Sequence, residues 1–113
     1  MLRISAAQAA ALGLDAENTF RDKLHARLTD VLNGEQWPAD KITRHIEMGL
    51  NRAQSYGFLR TEAEMAEYIE IVCCYLGGFG RAPHPPEVML MLFDRSRPAA
   101  ARLSRIRAWC TEQ

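Results

Sequence analysis

The apolar residues of this chain recur every three or four positions, which is the spacing that lines one face of an α-helix. Phe20, Leu24 and Leu28 form the clearest run of this kind. Sustained alternation of apolar and polar residues, which is typical of half-buried strands, is almost absent. The pattern therefore predicts an all-α protein, a compact bundle of four to five helices in one domain spanning residues 1–113. The expected helices lie near residues 5–32, 38–56, 61–76, 86–93 and 98–110.

The third predicted helix has the most complete start and stop signals. Thr61 followed by Glu64 is a capping box, in which the two residues satisfy each other's backbone N–H at the helix start. Gly57, just before it, suits the left-handed conformation that ends the second helix. The pair Gly77-Gly78 is expected to end the third helix in the same way. Its expected core residues are Met65, Tyr68, Ile69, Val72 and Leu76.

The first predicted helix carries an interruption near its start. Ser5 and Gln8 form a capping-box pattern, so the helix is expected to begin at Ser5. Gly13 then falls inside it, at a cost of about 1 kcal/mol relative to alanine. Either Gly13 kinks one long helix or Asp15 caps a new one, and the sequence leaves both readings open. Asn33-Gly34 is expected to end the helix.

The charges of the chain balance, and this narrows the classes of partner. Lysine plus arginine number 14, aspartate plus glutamate also number 14, and the formal net charge is zero. Nucleic-acid binders owe much of their affinity to cations that neutralise phosphates, and anionic membranes attract basic surfaces in the same way. We therefore expect no nucleic-acid partner and no membrane partner. Zero net charge gives little protection from self-association, so a homodimer is a possible assembly of this chain.

Two of the predicted helices, over residues 39–76, have the outline of a helix-turn-helix motif. The second of them would be the recognition helix, but it carries the acidic residues Glu62, Glu64, Glu67 and Glu70. Carboxylates that face phosphates have the wrong sign for binding DNA. A small helix-turn-helix transcriptional regulator is therefore a less favoured alternative.

The sequence offers no recognisable constellation of catalytic or metal-binding residues. His25, His45 and His84 fall on different predicted elements and lack the spacing of a metal motif such as HExxH. A single histidine on a helix is more often a structural residue than a ligand. We therefore expect a non-enzymatic protein with no catalytic residues, no metal site and no cofactor.

The cysteines indicate a reducing compartment. Cys73 and Cys74 are neighbours on a predicted helix, where they point about 100° apart and do not suit a disulfide. With Cys110 they are interpreted as free, buried thiols. The N-terminal run is alanine-rich and interrupted by Gln8, which disfavours a secretory signal, and no apolar run approaches the roughly 20 residues of a membrane span. We therefore expect a cytoplasmic protein.

The loop Gly77–Pro86 and the arginines that follow it are the candidate partner-binding region, because recognition often uses loops held on a rigid scaffold. Phe79 either tucks into the core, which we favour, or waits for a partner pocket. The arginines either pair with the acidic third helix, which we favour, or meet an acidic partner face. The candidate partner-binding residues are Phe79, Arg81, His84, Arg95, Arg97, Arg102 and Arg105.

A series of short motifs runs in a fixed order along residues 4–79. It begins with I-S-x-x-Q and F-x-x-x-L-x-x-x-L, continues with G-L-x-R-A-x-x-Y-G and T-E-x-E, and closes with a tyrosine-bearing apolar helix that stops at L-G. The residues concerned are Ile4, Ser5, Gln8, Phe20, Leu24, Leu28, Gly49, Leu50, Arg52, Ala53, Tyr56, Gly57, Thr61, Glu62, Glu64, Tyr68, Ile69, Leu76 and Gly77. In this order they resemble a family of small bacterial proteins encoded beside type VI secretion spike, PAAR and effector genes.

The resemblance implies a non-enzymatic accessory protein of a type VI secretion locus. Such a protein would bind a cognate effector or spike component as an adaptor or chaperone, and the alternative is an immunity protein that blocks a toxin. The family continues with an acidic F-D-x-D-P-like loop, where this chain has Phe79-Gly80-Arg81. If that loop contacts the partner, the partner is expected to differ. The resemblance carries no catalytic residues.

Overall fold

The computed structural model describes residues 14–32, 37–80 and 84–112. Within these residues it contains five α-helices and no strand, which confirms the predicted all-α fold. The predicted start at Ser5, the interruption at Gly13 and the stop at Asn33-Gly34 lie outside the described residues. The helices are α1 (Leu14–Val31), α2 (Ala39–Tyr56), α3 (Glu62–Tyr75), α4 (Pro86–Leu92) and α5 (Ala99–Thr111).

Helix α3 begins and ends as its sequence predicts. The Glu64 N–H donates to Thr61 Oγ1 at 3.1 Å, and the Glu64 carboxylate accepts from the Thr61 N–H at 3.1 Å, so the capping box is complete. At the other end, the N–H groups of Leu76 and Gly78 both donate to the Val72 carbonyl. Gly78 has a φ of 91°, which favours glycine, and this conformation turns the chain away from the helix axis.

Helix α3 lies at the centre of the bundle, where it packs against α1, α2 and α5. The predicted core residues Tyr68, Ile69 and Val72 are buried. Ile71, which the predicted stripe omitted, is buried as well, because helices cover α3 from several directions. A helix covered in this way is apolar around most of its circumference, so the single stripe expected from the sequence was too narrow.

Helices α2 and α3 approach closely at Gly49. A Cβ atom at this position would lie 2.6 Å from Ile69 Cγ1 and 2.7 Å from the Phe79 ring. No side chain fits there without displacing both neighbours. Gly49 therefore belongs to the core stripe of α2, together with Ile42, Ile46 and Ala53.

Charged side chains join α3 to the helices on either side of it. Arg107 on α5 pairs with Glu67 through two hydrogen bonds of 2.8 and 3.0 Å, and lies 3.6 Å from a Glu70 oxygen. Arg27 on α1 donates to the other Glu70 oxygen at 3.1 Å. The predicted pairing of the basic C-terminal segment with the acidic third helix is confirmed for Arg107.

Candidate partner-binding surface

The structure divides the predicted partner-binding residues into two groups. Phe79 is 2% exposed, His84 7% and Arg102 8%, so these three side chains are interior. The prediction that these three side chains contact a partner is therefore wrong for this structure. Arg81 lies outside the described residues. The remaining three are exposed on the surface: Arg95, Arg97 and Arg105.

Phe79 belongs to the core because its backbone and its ring are both bound there. Its N–H donates to His45 Nδ1 at 2.9 Å, and its ring packs edge-on against Tyr68 with 5.6 Å between centroids. The same ring fills the space above Gly49. Of the two readings of Phe79, the favoured one, tucking into the core, is confirmed.

His84 is also a structural residue. Its Nε2 pairs with the Tyr68 hydroxyl at 2.8 Å, and that hydroxyl lies 3.3 Å from the hydroxyl of Tyr56. Burial, assisted by the nearby Arg52, lowers the pKa of His84, and burial raises the pKa of Tyr68. The neutral forms of both groups are therefore favoured at neutral pH.

Arg102 holds the connection between α4 and α5. Its Nε donates to the Arg97 carbonyl at 2.7 Å and its Nη1 to the Leu92 carbonyl at 3.2 Å. The guanidinium lies 4.8 Å from the centroid of the Phe58 ring. A cation at the C-terminal end of α4 also suits the negative end of the helix dipole. Arg102 therefore serves the fold, although in sequence it resembles its exposed neighbours.

An exposed apolar surface lies where the sequence predicted only a short helix. Leu90 is 76% exposed and Phe93 45% exposed, and their spacing of three residues places them on one side of α4. The Phe93 ring packs edge-on against Tyr56 at 5.1 Å and Phe58 at 5.5 Å, and those two rings are stacked on each other at 5.5 Å. We name this surface the aromatic patch: Tyr56, Phe58, Leu90 and Phe93.

The sequence contains a sign of this patch, an uninterrupted apolar run, which the search for helical spacing did not pick out. The run Val88 to Phe93 is apolar at every position, yet the helix is too short to be enclosed. Val88 and Leu92, four residues apart, are buried against the bundle. Leu90, midway between them, must then point away from it.

Exposed arginines adjoin the aromatic patch. Asp94, next to Phe93, lies 3.5 Å from Arg97 Nε and 3.4 Å from Arg105 Nη1. Hydrogen bonds from Ser96, and then the two arginines, lower the pKa of Asp94. The turn after α4 therefore places more positive than negative charge beside the exposed rings. We name these residues the arginine border: Arg95, Arg97 and Arg105.

No set of three histidine, cysteine, aspartate or glutamate side chains among the described residues is arranged to hold a metal ion. Burial raises the pKa of Cys73 to about 12, which leaves it as a thiol at neutral pH. Every buried side-chain nitrogen or oxygen in the described part of the chain has a hydrogen-bond partner. None of the helices described is long and apolar enough to cross a membrane.

Comparisons of the chain with protein families, with curated proteins and with solved structures found no match. The surface of the molecule is therefore the remaining source of evidence on its function. On that surface, the aromatic patch exposes large apolar side chains that do not serve the packing of the core, and the arginine border lies beside them.

Proposed function

We propose that this chain is a non-enzymatic accessory protein that binds a cognate protein partner through the aromatic patch. The observation that carries the proposal is the exposure of Leu90 and Phe93 on one side of α4. Exposed apolar side chains that form a contiguous patch are typical of a binding surface. The adjacent charges favour a partner that is acidic around an apolar centre.

The packing of the Phe93 ring suits a binding hot spot, a residue that contributes much of the binding energy. Tyr56 and Phe58 support the Phe93 ring from beneath, so the ring loses little freedom when a partner covers it. Aromatic side chains held in this way are common among the few residues that dominate binding energy. The arginine border would set the orientation and rate of association rather than most of the affinity.

The resemblance to proteins of type VI secretion loci supports a specific partner. We propose a secreted effector or spike component, with this chain as its adaptor or chaperone. The binding surface differs from the one expected from the sequence, because Phe79 is buried and the exposed anchor is Phe93. The arginines Arg95, Arg97 and Arg105 stay in the proposal, as the border of the patch.

The experiment is a binding measurement with the product of the neighbouring effector gene. The paired change Leu90→Ser with Phe93→Ala should weaken binding by tenfold or more, because it removes the apolar centre. Arg95→Glu with Arg97→Glu should weaken binding most at low salt, where charges are least screened. Calorimetry on the purified proteins at two salt concentrations measures both effects.

Tyr75→Ala is the matched control, because Tyr75 is an exposed aromatic residue at the far end of α3, outside the patch. It should bind as the wild type does. Wild-type affinity in a folded Leu90→Ser, Phe93→Ala variant would refute the patch as the site. In the cell, an adaptor is required for secretion of the effector, whereas an immunity protein is required for survival of the producer.

A further inference from the structure

A buried histidine holds the backbone of the segment that follows α3. His45 on α2 is buried, and its Nδ1 accepts the Phe79 N–H at 2.9 Å. A ring nitrogen accepts only when it carries no proton, so the imidazole is neutral, with its proton on Nε2. We name the segment that it holds the glycine turn: Gly77, Gly78, Phe79 and Gly80.

The glycine turn lies against the His45 ring without spare room. A Cβ atom at Gly78 would lie 2.7 Å from His45 Cε1 and 2.8 Å from Trp37 Cη2. The Trp37 ring also packs against the imidazole, with 4.8 Å between centroids. The imidazole is therefore packed against both an indole ring and a stretch of backbone, and turning it to present a different nitrogen would move these neighbours.

The charges near His45 oppose a second proton on the ring. Burial is the largest cause that lowers the pKa of His45, and the cations Lys41 and Arg44 on the same helix lower it further. Lys41 lies 4.2 Å from the centroid of the Trp37 ring, so it borders the same cluster. The glycine turn faces His45 with a backbone N–H, which carries positive partial charge and also disfavours the imidazolium.

A second buried histidine, His84, also packs near the Phe79 ring, and the two histidines differ in what protonation does to their hydrogen bonds. The Phe79 ring is 6.4 Å from the His45 ring and 6.3 Å from that of His84. Among the described residues, the polar groups facing His84 include the Tyr68 hydroxyl on α3 and the Arg52 cation on α2. A hydroxyl both donates and accepts, so it can reverse its bond and accept from a protonated His84. The Phe79 N–H can only donate, so its bond to His45 is lost on protonation.

We propose that His45 is a proton-sensitive latch, which holds the glycine turn against α2 and α3 when neutral and releases it when protonated. The released turn withdraws the Phe79 ring from Gly49 and exposes an aromatic side chain that is buried at neutral pH. The proposal rests on the contacts of His45 and is independent of the partner proposed for the aromatic patch.

The sign of the pH dependence follows from the two states of His45. In the closed state its pKa lies below the ordinary value of 6.5, so the closed state binds fewer protons than the open one. Closure is strongest above about pH 6.5 and weakens as the pH falls toward the closed-state pKa. Between these limits, the closing equilibrium constant falls up to tenfold for each pH unit.

The experiment is amide hydrogen exchange of Phe79 by NMR between pH 7.5 and pH 5, corrected for the intrinsic exchange rate. The protection factor of this amide should fall with acid in the wild type. His45→Asn keeps an acceptor oxygen near the position of Nδ1 and cannot titrate, so its protection should be independent of pH. His84→Gln removes the other titrating ring and should retain the wild-type fall.

Several results would overturn the latch. One is a constant Phe79 protection factor in the wild type, and another is an unchanged fall in His45→Asn. A third is an equal fall at Val72 in α3, because the event would then be unfolding of the whole domain. If His45→Asn does not fold, a pH titration of the wild type by NMR tests the latch instead. The chemical shifts of the Phe79 amide nitrogen and of the His45 ring should then change with the same midpoint pH. Different midpoints would refute the coupling between the two groups.

Discussion

The glycine turn and α4 are close in the chain but differ in the exposure of their large apolar side chains: the turn buries its phenylalanine, whereas α4 leaves two apolar residues exposed. The turn has no regular secondary structure, yet the Phe79 side chain is enclosed and its N–H is bound to His45. Helix α4 is regular, yet it leaves Leu90 and Phe93 exposed to solvent. Irregular backbone therefore does not indicate an exposed binding loop here, and a regular helix does not indicate a satisfied surface.

The largest expected effect tests this comparison directly with two phenylalanines. Phe79→Ala should lower the free energy of unfolding by about 3–5 kcal/mol, because it empties a fully enclosed core site. Phe93→Ala should cost about 1 kcal/mol or less, since half of its ring is already in water. Urea denaturation followed by circular dichroism measures both. Equal losses would remove the distinction between the two regions.

The second test uses two glycines that share a backbone conformation and differ in surroundings. Gly78→Ala should cost about 3 kcal/mol, because the left-handed φ of 91° is strained for alanine and the methyl group meets His45 and Trp37. Gly57→Ala, with a φ of 81° and no atom within 4 Å of the new Cβ, should cost about 1 kcal/mol. Thermal melts of the two variants should differ accordingly, and the same melting temperature in both would mean that the turn is not packed as described.

The third test compares two arginines that the sequence does not distinguish. Arg102→Ala should lower the free energy of unfolding by about 2 kcal/mol, because two backbone carbonyls lose a charged donor. Arg95→Ala should change it by no more than about 0.5 kcal/mol, since the side chain is exposed. Arg102→Lys should rescue little, because one ammonium cannot reproduce the geometry of the guanidinium. Full rescue by lysine would show that charge alone matters at this position.

The smallest effect on stability is expected from the most exposed apolar residue. Leu90→Ser should leave the free energy of unfolding within about 0.5 kcal/mol of the wild type. It should also reduce any self-association of the purified protein, because zero net charge leaves apolar contact unopposed. Sedimentation equilibrium at several concentrations checks this. Unchanged association would place a homodimer contact away from the aromatic patch.

The fold was predictable from the sequence because its signals are local. A capping box needs two residues three positions apart, and both Thr61 and Glu64 behave as expected. A left-handed glycine such as Gly57 ends a helix through its own backbone freedom. Helical spacing identified Tyr68, Ile69 and Val72 of α3 as core residues, since positions three or four residues apart share a face of the helix.

The surface was not predictable in the same way because it depends on distant contacts. Burial of Phe79 was the favoured prediction, but its hydrogen-bond partner His45 is 34 residues away in the chain and could not be identified from local spacing. Arg102 lies among exposed arginines in sequence, and only the position of α4 makes its side chain interior. The exposure of Leu90 could have been inferred, because an apolar run on a short helix cannot bury every residue. The burial of an individual arginine could not.

Tyr56 connects the aromatic patch to a neighbour of the glycine turn. Its ring belongs to the aromatic patch, while its hydroxyl lies 3.3 Å from that of Tyr68, which packs against the Phe79 ring. Linked equilibria obey thermodynamic reciprocity: if closure of the turn strengthens partner binding, partner binding must strengthen closure by the same factor. A partner bound at Phe93 would then lower the proton affinity of His45, and calorimetry in buffers of different ionisation enthalpy would record the protons released.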